Sequence, residues 1–242
     1  MSKTTHIAMW SGPRNLSTAM MRSFGARADT LCFDEPFYAP FLKLTGTRHP
    51  MREEILARHE TDPAKVAAQI MSDAAPIIYQ KQMTHHMVTG IPRDWSKLTR
   101  NAFLIRHPAR VLASYARKME EASLEAIGFV QQAEIYELAL EGAVSKPVII
   151  DSDDILRAPE IALRALCAGL EISFDADMLG WEAGPKPEDG AWAPHWYDAV
   201  NQSTGFGKPS NDLPEVHTDH EDIYAAALPI YEKLAANRIR FD

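Results

Sequence analysis

Hydrophobic and polar positions along this chain fall into two alternating patterns. Short continuous apolar runs are typical of strands buried on both faces, and apolar positions three and four residues apart are typical of helices that pack on a core. The apolar runs predict five strands, at residues 7–10, 31–34, 77–81, 102–105 and 148–150. The helical spacing predicts helices at residues 16–26, 64–74, 109–121, 124–142, 160–169 and 223–237.

The alternation of strands and helices determines the predicted fold class. Strands that are apolar along their whole length and are joined by helices form parallel sheets covered on both faces. A chain of 242 residues is long enough for one domain with a sizeable core. We therefore predict a single domain over residues 1–242, with a three-layer α/β fold around a central parallel sheet of about five strands.

The segment 180–214 departs from this alternation. It is rich in proline and glycine and also holds Trp192, Trp196 and Tyr197. Loops of this length are usually functional or disordered, and the aromatic residues favour an ordered segment. We interpret residues 180–214 as a lid or substrate loop. Trp192 is expected to pack either over a ligand or in the core.

The composition is that of an ordinary soluble globular protein, with 46% hydrophobic and 24% charged residues. No apolar run approaches the roughly 20 residues of a membrane helix, and the N-terminus lacks the apolar core of a secretory signal. Cys32 and Cys167 fall in apolar predicted elements, which is typical of buried free thiols in a reducing compartment. We expect a cytoplasmic protein with no membrane partner.

The formal net charge of −8 limits the partners further. Nucleic-acid binding is driven by basic surfaces, so we expect no nucleic-acid partner. No cysteine or histidine cluster has the spacing of a metal site, so we expect no metal. An anionic nucleotide remains compatible with the acidic balance, because a few local cations decide its binding. Arg14, Lys81 and Arg106 follow predicted strands or begin helices.

The first candidate site is the turn between the first predicted strand and helix, within IAMWSGPRNLSTA at residues 7–19. A helix N-terminus offers unpaired N–H groups and the positive end of the helix dipole, which together favour an anion. Arg14 adds a cation, and Ser17 and Thr18 add hydroxyl donors. Gly12 is present, but the Gly-Lys-[Ser/Thr] of the common P-loop does not follow it. An anion site and an ordinary capped helix with an exposed arginine fit this segment equally well.

A second segment favours the anion site. In NAFLIRHPARVLASYARK, at residues 101–118, Arg106 lies at the carboxyl end of a predicted strand, and Ser114 lies two turns into the following helix. Pro108 fits the first turn of that helix, where its missing N–H has no partner to lose. Doubly wound sheets bind ligands at the carboxyl ends of their strands.

Together these segments resemble the sulfotransferase superfamily, which transfers a sulfuryl group from 3′-phosphoadenosine-5′-phosphosulfate (PAPS). The family's 5′-phosphosulfate loop, P-[KR]-x-G-[ST]-[ST], is similar to residues 13–18, except that Leu16 replaces the loop glycine. Its 3′-phosphate motif is similar to Arg106 with Ser114, and its strand, acidic turn and helix are similar to residues 148–174. The stretches SGPRNLST, DEPF and GPKPEDG further resemble a bacterial and plant sulfotransferase-like group often labelled branched-chain aminotransferase-like.

The resemblance implies a P-loop-like form of the α/β fold, PAPS as the sulfuryl donor, and no metal. It also implies a set of residues that bind this cofactor: Gly12, Arg14, Asn15, Leu16, Ser17, Thr18, Arg106 and Ser114. Lys186 is a further expected contact, because the family places a basic, glycine-containing loop late in the chain. The order of glycines around Lys186 differs from the family's order.

Transfer to an acceptor hydroxyl requires a base. Glu35 matches the position of the base glutamate in some sulfotransferases, and Pro36 is expected to hold it in an extended backbone conformation. A carboxylate paired with Arg14, or one that caps a helix, is the alternative. His85 is the second candidate base, because other family members use a histidine just after a lysine. Met83 occupies the position at which those members have the histidine.

Lys81 is predicted to stabilise, with Arg14, the charge that develops around the transferred sulfuryl group. Its alternative is a lysine that extends to solvent. The predicted function is transfer of a sulfuryl group to a hydroxyl or amine of a small acceptor. The identity of the acceptor and the oligomeric state stay open.

Two other functions remain as alternatives, a P-loop kinase or nucleotide hydrolase and a non-catalytic nucleotide-binding module. The missing Gly-Lys-[Ser/Thr] counts against the first. Aminotransferase chemistry has no support in the sequence, because a pyridoxal enzyme needs a Schiff-base lysine and a much larger scaffold.

Overall fold

A computed structural model of the chain describes residues 4–118 and 122–241. Its five strands are β1 (Thr5–Ser11), β2 (Thr30–Asp34), β3 (Ile77–Met83), β4 (Arg100–Ile105) and β5 (Val148–Asp151). They form one sheet in the order β2-β3-β1-β4-β5, and every neighbouring pair is parallel. The predicted parallel sheet and all five predicted strands are confirmed.

Helices connect the strands and continue to the C-terminal part of the chain. Before β4 they are α1 (Ser17–Gly25), α2 (Tyr38–Thr45), α3 (Arg52–Arg58) and α4 (Pro63–Ile70). After β4 they are α5 (Pro108–Lys118), α6 (Leu124–Ile127), α7 (Phe129–Gly142), α8 (Ser152–Arg157), α9 (Pro159–Gly169), α10 (Ala193–Trp196), α11 (Asp198–Asn201) and α12 (Glu221–Ala235). None of the helices in these described ranges is both long and apolar enough to cross a bilayer.

The predicted helices differ from the structure in two respects, and one predicted helix end is not compared. The helix predicted over residues 124–142 is divided into α6 and α7 at Gly128, which has a φ of 73° that ordinary helical residues do not adopt. The last predicted residues of the helix 109–121, residues 119–121, lie outside the described part of the chain. The short helices α2, α3, α8, α10 and α11 were not predicted, because they are too brief to show a helical period.

Both faces of the sheet are buried, as the three-layer fold requires. Along β1, Ile7 and Met9 belong to one core cluster, which includes residues of α1 and α9. Ala8 and Trp10 belong to a second cluster on the opposite face, which includes residues of α7 and α12. Successive strand residues point to opposite faces, so both sets must be apolar. This explains why the strands read as continuous apolar runs.

A close approach between two glycines joins the end of β1 to the start of α7. A Cβ atom on Gly12 would lie 2.4 Å from the carbonyl oxygen of Ile127, and one on Gly128 would lie 2.5 Å from Oγ1 of Thr84. Neither approach has room for a side chain. Gly12 therefore has a packing role directly before the predicted phosphate loop.

We predict that Gly12→Ala lowers the free energy of unfolding by about 1–3 kcal/mol, because the added methyl group forces a backbone shift. The measurement is the urea unfolding midpoint and slope by circular dichroism. Gly142→Ala is the matched control. A Cβ there would be 3.9 Å from Lys97 Cδ, in ordinary contact, so this substitution should leave stability unchanged or slightly higher. Equal stability of both variants would contradict the packing role.

Candidate active site

The carboxyl ends of β1, β2, β3 and β4 converge on one cavity of about 470 Å³. In the sheet, β2 and β3 lie on one side of β1, and β4 and β5 lie on the other. The crevice at such a change of side is where doubly wound sheets bind ligands. The residues that line the cavity come from the β1–α1 loop, the ends of β2, β3 and β4, helix α5 and the segment 196–207. They include Arg14, Asn15, Leu16, Ser17, Thr18, Glu35, Lys81, His85, His86, Arg106, Ser114, Trp196 and Tyr197.

The β1–α1 loop has an unusual backbone. Arg14 and Leu16 have φ values of 64° and 73°, in the left-handed region that favours glycine. Leu16 stands where the related loops have glycine, and it keeps the conformation that a glycine would adopt readily. Its side chain packs on the core cluster of α1 and α9. The leucine therefore preserves this backbone conformation by packing.

Helix α1 begins at this loop without a side-chain cap. Its N-cap is Leu16, whose side chain makes no capping hydrogen bond. Ser17, Thr18 and Ala19 line the cavity at this helix N-terminus. The N–H groups of an uncapped first turn and the positive end of the dipole favour an anion at this place.

Two arginines flank the same place. The Arg14 guanidinium lies 5.1 Å from the ring centroid of Trp196 and 6.0 Å from that of Tyr115. Arg106 Nη1 donates a hydrogen bond of 2.6 Å to the carbonyl oxygen of Arg14, so the end of β4 holds the loop. Arg106 Nε is buried and has no hydrogen-bond partner among the described residues. Such a donor beside a cavity fits an anionic ligand.

The structure therefore brings most of the predicted cofactor residues to one cavity. Asn15 is anchored there by a 3.3 Å bond from its Nδ2 to the carbonyl oxygen of Leu104, and its buried Oδ1 has no partner among the described residues. Ser114 of α5 lines the cavity with Arg106. Gly12 and Lys186 are not among the lining residues.

Lys186 lies in a segment that is fastened to α1 instead. Its backbone N–H donates to Asp189 Oδ2 at 2.8 Å, and its Nζ is 4.0 Å from Glu182. Asp189 forms a bidentate pair with Arg22 of α1, with distances of 2.6 and 2.7 Å. These contacts anchor the backbone around Lys186 outside the cavity. This is the stretch in which the order of glycines differs from the family's order.

A buried lysine lies at the end of β3. The Lys81 side chain is 1% exposed, and its ammonium donates to Asp34 Oδ1 at 3.0 Å, to Glu35 Oε1 at 2.8 Å and to the Tyr197 hydroxyl. These three acceptors match the three N–H donors of an ammonium group. Burial alone lowers the pKa of Lys81, but the carboxylates of Asp34 and Glu35 raise it well above its ordinary value. Lys81 is therefore a permanent cation in the cavity wall.

Glu35 follows β2 in a tight turn. The expectation of an extended backbone is wrong, because its φ is 41°. Its N–H donates to the carbonyl oxygen of Lys81 at 3.0 Å, and its own carbonyl accepts from the Tyr38 N–H at 2.9 Å. These two bonds fix the turn against the preference of a residue before proline. Its carboxylate is paired with Lys81, and burial raises the pKa of Glu35 despite that pairing.

Both neighbouring histidines line the cavity, and the second one faces Glu35. His86 Nε2 is 4.0 Å from Glu35 Oε2. The ring of His86 stacks on Tyr38 and Phe41, with centroids 4.6 and 4.9 Å apart. Burial lowers the pKa of His85 to about 4, and it lowers the pKa of His86 well below the ordinary value. The sequence does not distinguish His86 from His85, because neither residue keeps the family's spacing from the lysine.

The late segment 190–197 completes the charged cluster. The Tyr197 hydroxyl donates to the Asp34 carboxylate at 2.8 Å and accepts from Trp192 Nε1 at 3.1 Å. The Gly190 N–H donates to Asp34 Oδ2 at 3.0 Å. Trp192 is 1% exposed and lies in the core, one of its two predicted positions. The role of Tyr197 was missed because its charged partners, Asp34 and Lys81, lie more than a hundred residues away in the sequence.

These features define a class, the P-loop-like α/β proteins, in which the loop between the first strand and helix lines the cavity. The chain belongs to the sulfotransferase domain family, whose sequence model matches residues 5–238. Within the described residues, no group of three or more His, Cys, Asp or Glu side chains is placed to hold a metal ion.

Two plant proteins are similar to nearly the whole chain. Branched-chain-amino-acid aminotransferase-like protein 1 of Arabidopsis thaliana is 39% identical over 240 residues, which are 98% of this chain and 43% of the plant protein. The like-named protein 2 is 40% identical over 231 residues, which are 94% of this chain and 41% of that protein. The chain thus spans less than half the length of these relatives.

Solved structures share the fold at low identity. The sulfotransferase from Alicyclobacillus acidocaldarius superposes with a TM-score of 0.52 at 11% identity, over 99% of this chain and 98% of that chain. The sulfotransferase domain of the Synechococcus PCC 7002 olefin synthase gives 0.50 at 14% identity, over 93% and 95%. These likenesses show a common P-loop-like α/β fold.

We predict opposite effects on stability for two buried tyrosines. Tyr197→Phe should lower the free energy of unfolding by about 1–3 kcal/mol, because it removes a hydroxyl bonded to Asp34, Lys81 and Trp192. Tyr79 is equally buried, but its hydroxyl has no hydrogen-bond partner among the described residues, so Tyr79→Phe should be neutral or stabilising. Urea unfolding measures both, and the reverse order would contradict the network.

Proposed function

We propose that this chain is an enzyme that transfers a sulfuryl group from PAPS to a hydroxyl or amine of a small acceptor. The observation that carries the proposal is a single cavity in which an uncapped helix N-terminus and two arginines lie opposite a buried carboxylate–lysine pair. The helix N-terminus and the arginines fit a donor with two separate anionic groups, and the carboxylate–lysine pair fits proton transfer from an acceptor. Membership of the sulfotransferase domain family supports this function.

The residues around the helix N-terminus fit the donor. Arg14, Ser17 and Thr18, with the N–H groups of the first turn of α1, would hold the 5′-phosphosulfate. Arg106, whose buried Nε lacks a partner among the described residues, would bind the 3′-phosphate together with Ser114. Bound PAPS would supply the sulfuryl group, whose bond to the 5′-phosphate oxygen breaks as a bond to the acceptor oxygen or nitrogen forms.

Glu35 is the proposed base. Lys81 holds its Oε1 at 2.8 Å, which leaves Oε2 to receive the proton of the acceptor. Burial raises the pKa of Glu35, which makes the carboxylate a stronger base than an exposed glutamate. The positive charges of Lys81 and Arg14 stabilise the negative charge that develops during transfer.

The aminotransferase-like names of the plant relatives raise a different possibility. A Schiff-base lysine must lose its proton to attack a carbonyl group. Lys81, which lines the cavity, is instead held as an ammonium by two carboxylates that raise its pKa. The cavity of this chain therefore favours sulfuryl transfer over pyridoxal chemistry.

Thermal shift and product analysis test the function. Adenosine 3′,5′-bisphosphate should stabilise the protein without magnesium, as ligands of the native state do. Radiolabelled PAPS should then yield labelled product with members of a panel of phenols, alcohols and amines. Stabilisation by ATP only with magnesium would favour a kinase or hydrolase. Binding of the bisphosphate with no product across the panel would leave a non-catalytic nucleotide-binding module.

We predict that Arg106→Ala weakens adenosine 3′,5′-bisphosphate about 10- to 150-fold and adenosine 5′-phosphate much less, because only the former has the 3′-phosphate. Isothermal titration calorimetry measures both affinities. Arg117→Ala is the control, because Arg117 lies on the same helix but is exposed. It removes a nearby positive charge without a cavity contact. Equal weakening of both nucleotides by Arg106→Ala would contradict the 3′-phosphate assignment.

We predict that Glu35→Gln lowers kcat by about 10²–10⁴-fold and leaves bisphosphate affinity nearly unchanged, because the amide keeps the shape but loses the basicity. In the unsubstituted enzyme, kcat/KM should rise with pH through a Glu35 pKa above the ordinary glutamate value. Glu35→Gln should abolish this acid limb. An active Glu35→Gln together with an inactive but folded His85→Ala would transfer the role of base to His85.

A further inference from the structure

His86 is a buried histidine whose ring nitrogens lack partners. The residue is 1% exposed and lines the cavity. Within the described residues, neither its Nδ1 nor its Nε2 has a hydrogen-bond partner. A buried imidazole loses its hydrogen bonds to water, and a hydrogen bond from its N–H group normally replaces at least one of them. Buried polar atoms without any partner are rare in folded proteins. The groups that face these two nitrogens therefore indicate the role of His86.

One of these nitrogens faces the proposed base. His86 Nε2 lies 4.0 Å from Glu35 Oε2, the carboxylate oxygen that Lys81 does not hold. A shortening of this separation by about 1 Å would produce an ordinary hydrogen bond. The stacked rings of Tyr38 and Phe41 fix the plane of the imidazole in this orientation.

The charges around the pair determine its protonation. The titratable groups that interact with Glu35 are Lys81, Asp34 and Tyr197, and those that interact with His86 are His85, Lys81 and His49. Burial and these neighbours lower the pKa of His86, so the ring is neutral and carries one proton. A carboxylate opposite Nε2 favours the tautomer with the proton on that nitrogen.

We propose that His86 is a positioning residue for the transfer reaction, which donates its Nε2–H to Oε2 of Glu35 and thereby keeps the carboxylate ionised and oriented. This inference rests on the proposed function, because His86 acts through the base. An N–H donor favours the ionised carboxylate and so opposes the effect of burial. Loss of the donor must therefore raise the pKa of Glu35.

The direct test is a titration of the Glu35 carboxyl group in the free protein. Selective ¹³C labelling of glutamate carboxyl groups, with Glu35→Gln to assign the signal, gives its pKa by NMR. His86→Phe keeps the stacked ring but removes both nitrogens, and it should raise the Glu35 pKa by about one unit. His86→Gln places an amide donor near the former Nε2 and should restore most of the shift. An unchanged or lowered pKa in His86→Phe would overturn the proposal.

His6→Phe is the matched control for the loss of a histidine. His6 lies on β1, far from the carboxyl ends of the strands, and its buried Nδ1 also lacks a partner among the described residues. Its replacement should leave the Glu35 pKa unchanged. If His86→Phe fails to fold, ¹⁵N-histidine NMR of the unsubstituted protein decides the question. A proton on His86 Nε2 supports the proposal, and a proton on Nδ1 alone overturns it.

Kinetics then separate this inference from the proposed function. With any acceptor that the panel identifies, the acid limb of kcat/KM in His86→Phe should move to higher pH by the same amount as the carboxyl titration. A purely structural role would lower activity without moving this limb. The NMR titration needs neither donor nor acceptor, so a shifted Glu35 pKa in a protein with no transferase activity would refute the proposed function alone.

Discussion

The ammonium group of Lys81 is buried in the wall of the cavity, at the end of β3. A charge without solvent is costly unless close opposite charges and hydrogen bonds compensate for it. Compensation here comes from two consecutive residues at the end of β2, Asp34 and Glu35, and from Tyr197, much later in the chain. The hydrogen bonds of this one cation therefore hold the ends of β2 and β3 to the segment around Tyr197, which lines the cavity.

The charged groups divide the cavity into two chemically different halves. The half at α1 and β4 is positive, because Arg14, Arg106 and a helix N-terminus lie together there. In the other half, the single positive charge of Lys81 faces the two carboxylates of Asp34 and Glu35, so the formal charge there is negative. An anion in the cavity would therefore be attracted to the half at α1 and β4.

The elements that depend on local patterns were predictable, and the contacts that depend on distant residues were not. The five strands followed from their apolar runs, because both sheet faces are covered. The loop from Arg14 to Thr18 and the end of β4 reached one cavity because parallel strands share their carboxyl edge. By contrast, a hydrogen bond from the Glu35 N–H to the carbonyl oxygen of Lys81 fixes the turn at Glu35. This bond overrides the extended conformation that the following proline favours. The charged partners of Tyr197, Asp34 and Lys81, lie on β2 and β3, so the local sequence around Tyr197 does not predict this cluster.

The left-handed Leu16 has a thermodynamic consequence for whatever binds at the loop. A non-glycine residue visits this conformation seldom in the unfolded chain, and the conformation costs about 1–2 kcal/mol. Packing of its side chain on the core compensates for that cost while the chain folds. A glycine in its place would leave part of the ordering entropy to be lost on binding. With Leu16 the loop is ordered when the chain folds, so little conformational entropy would be lost if a ligand bound there.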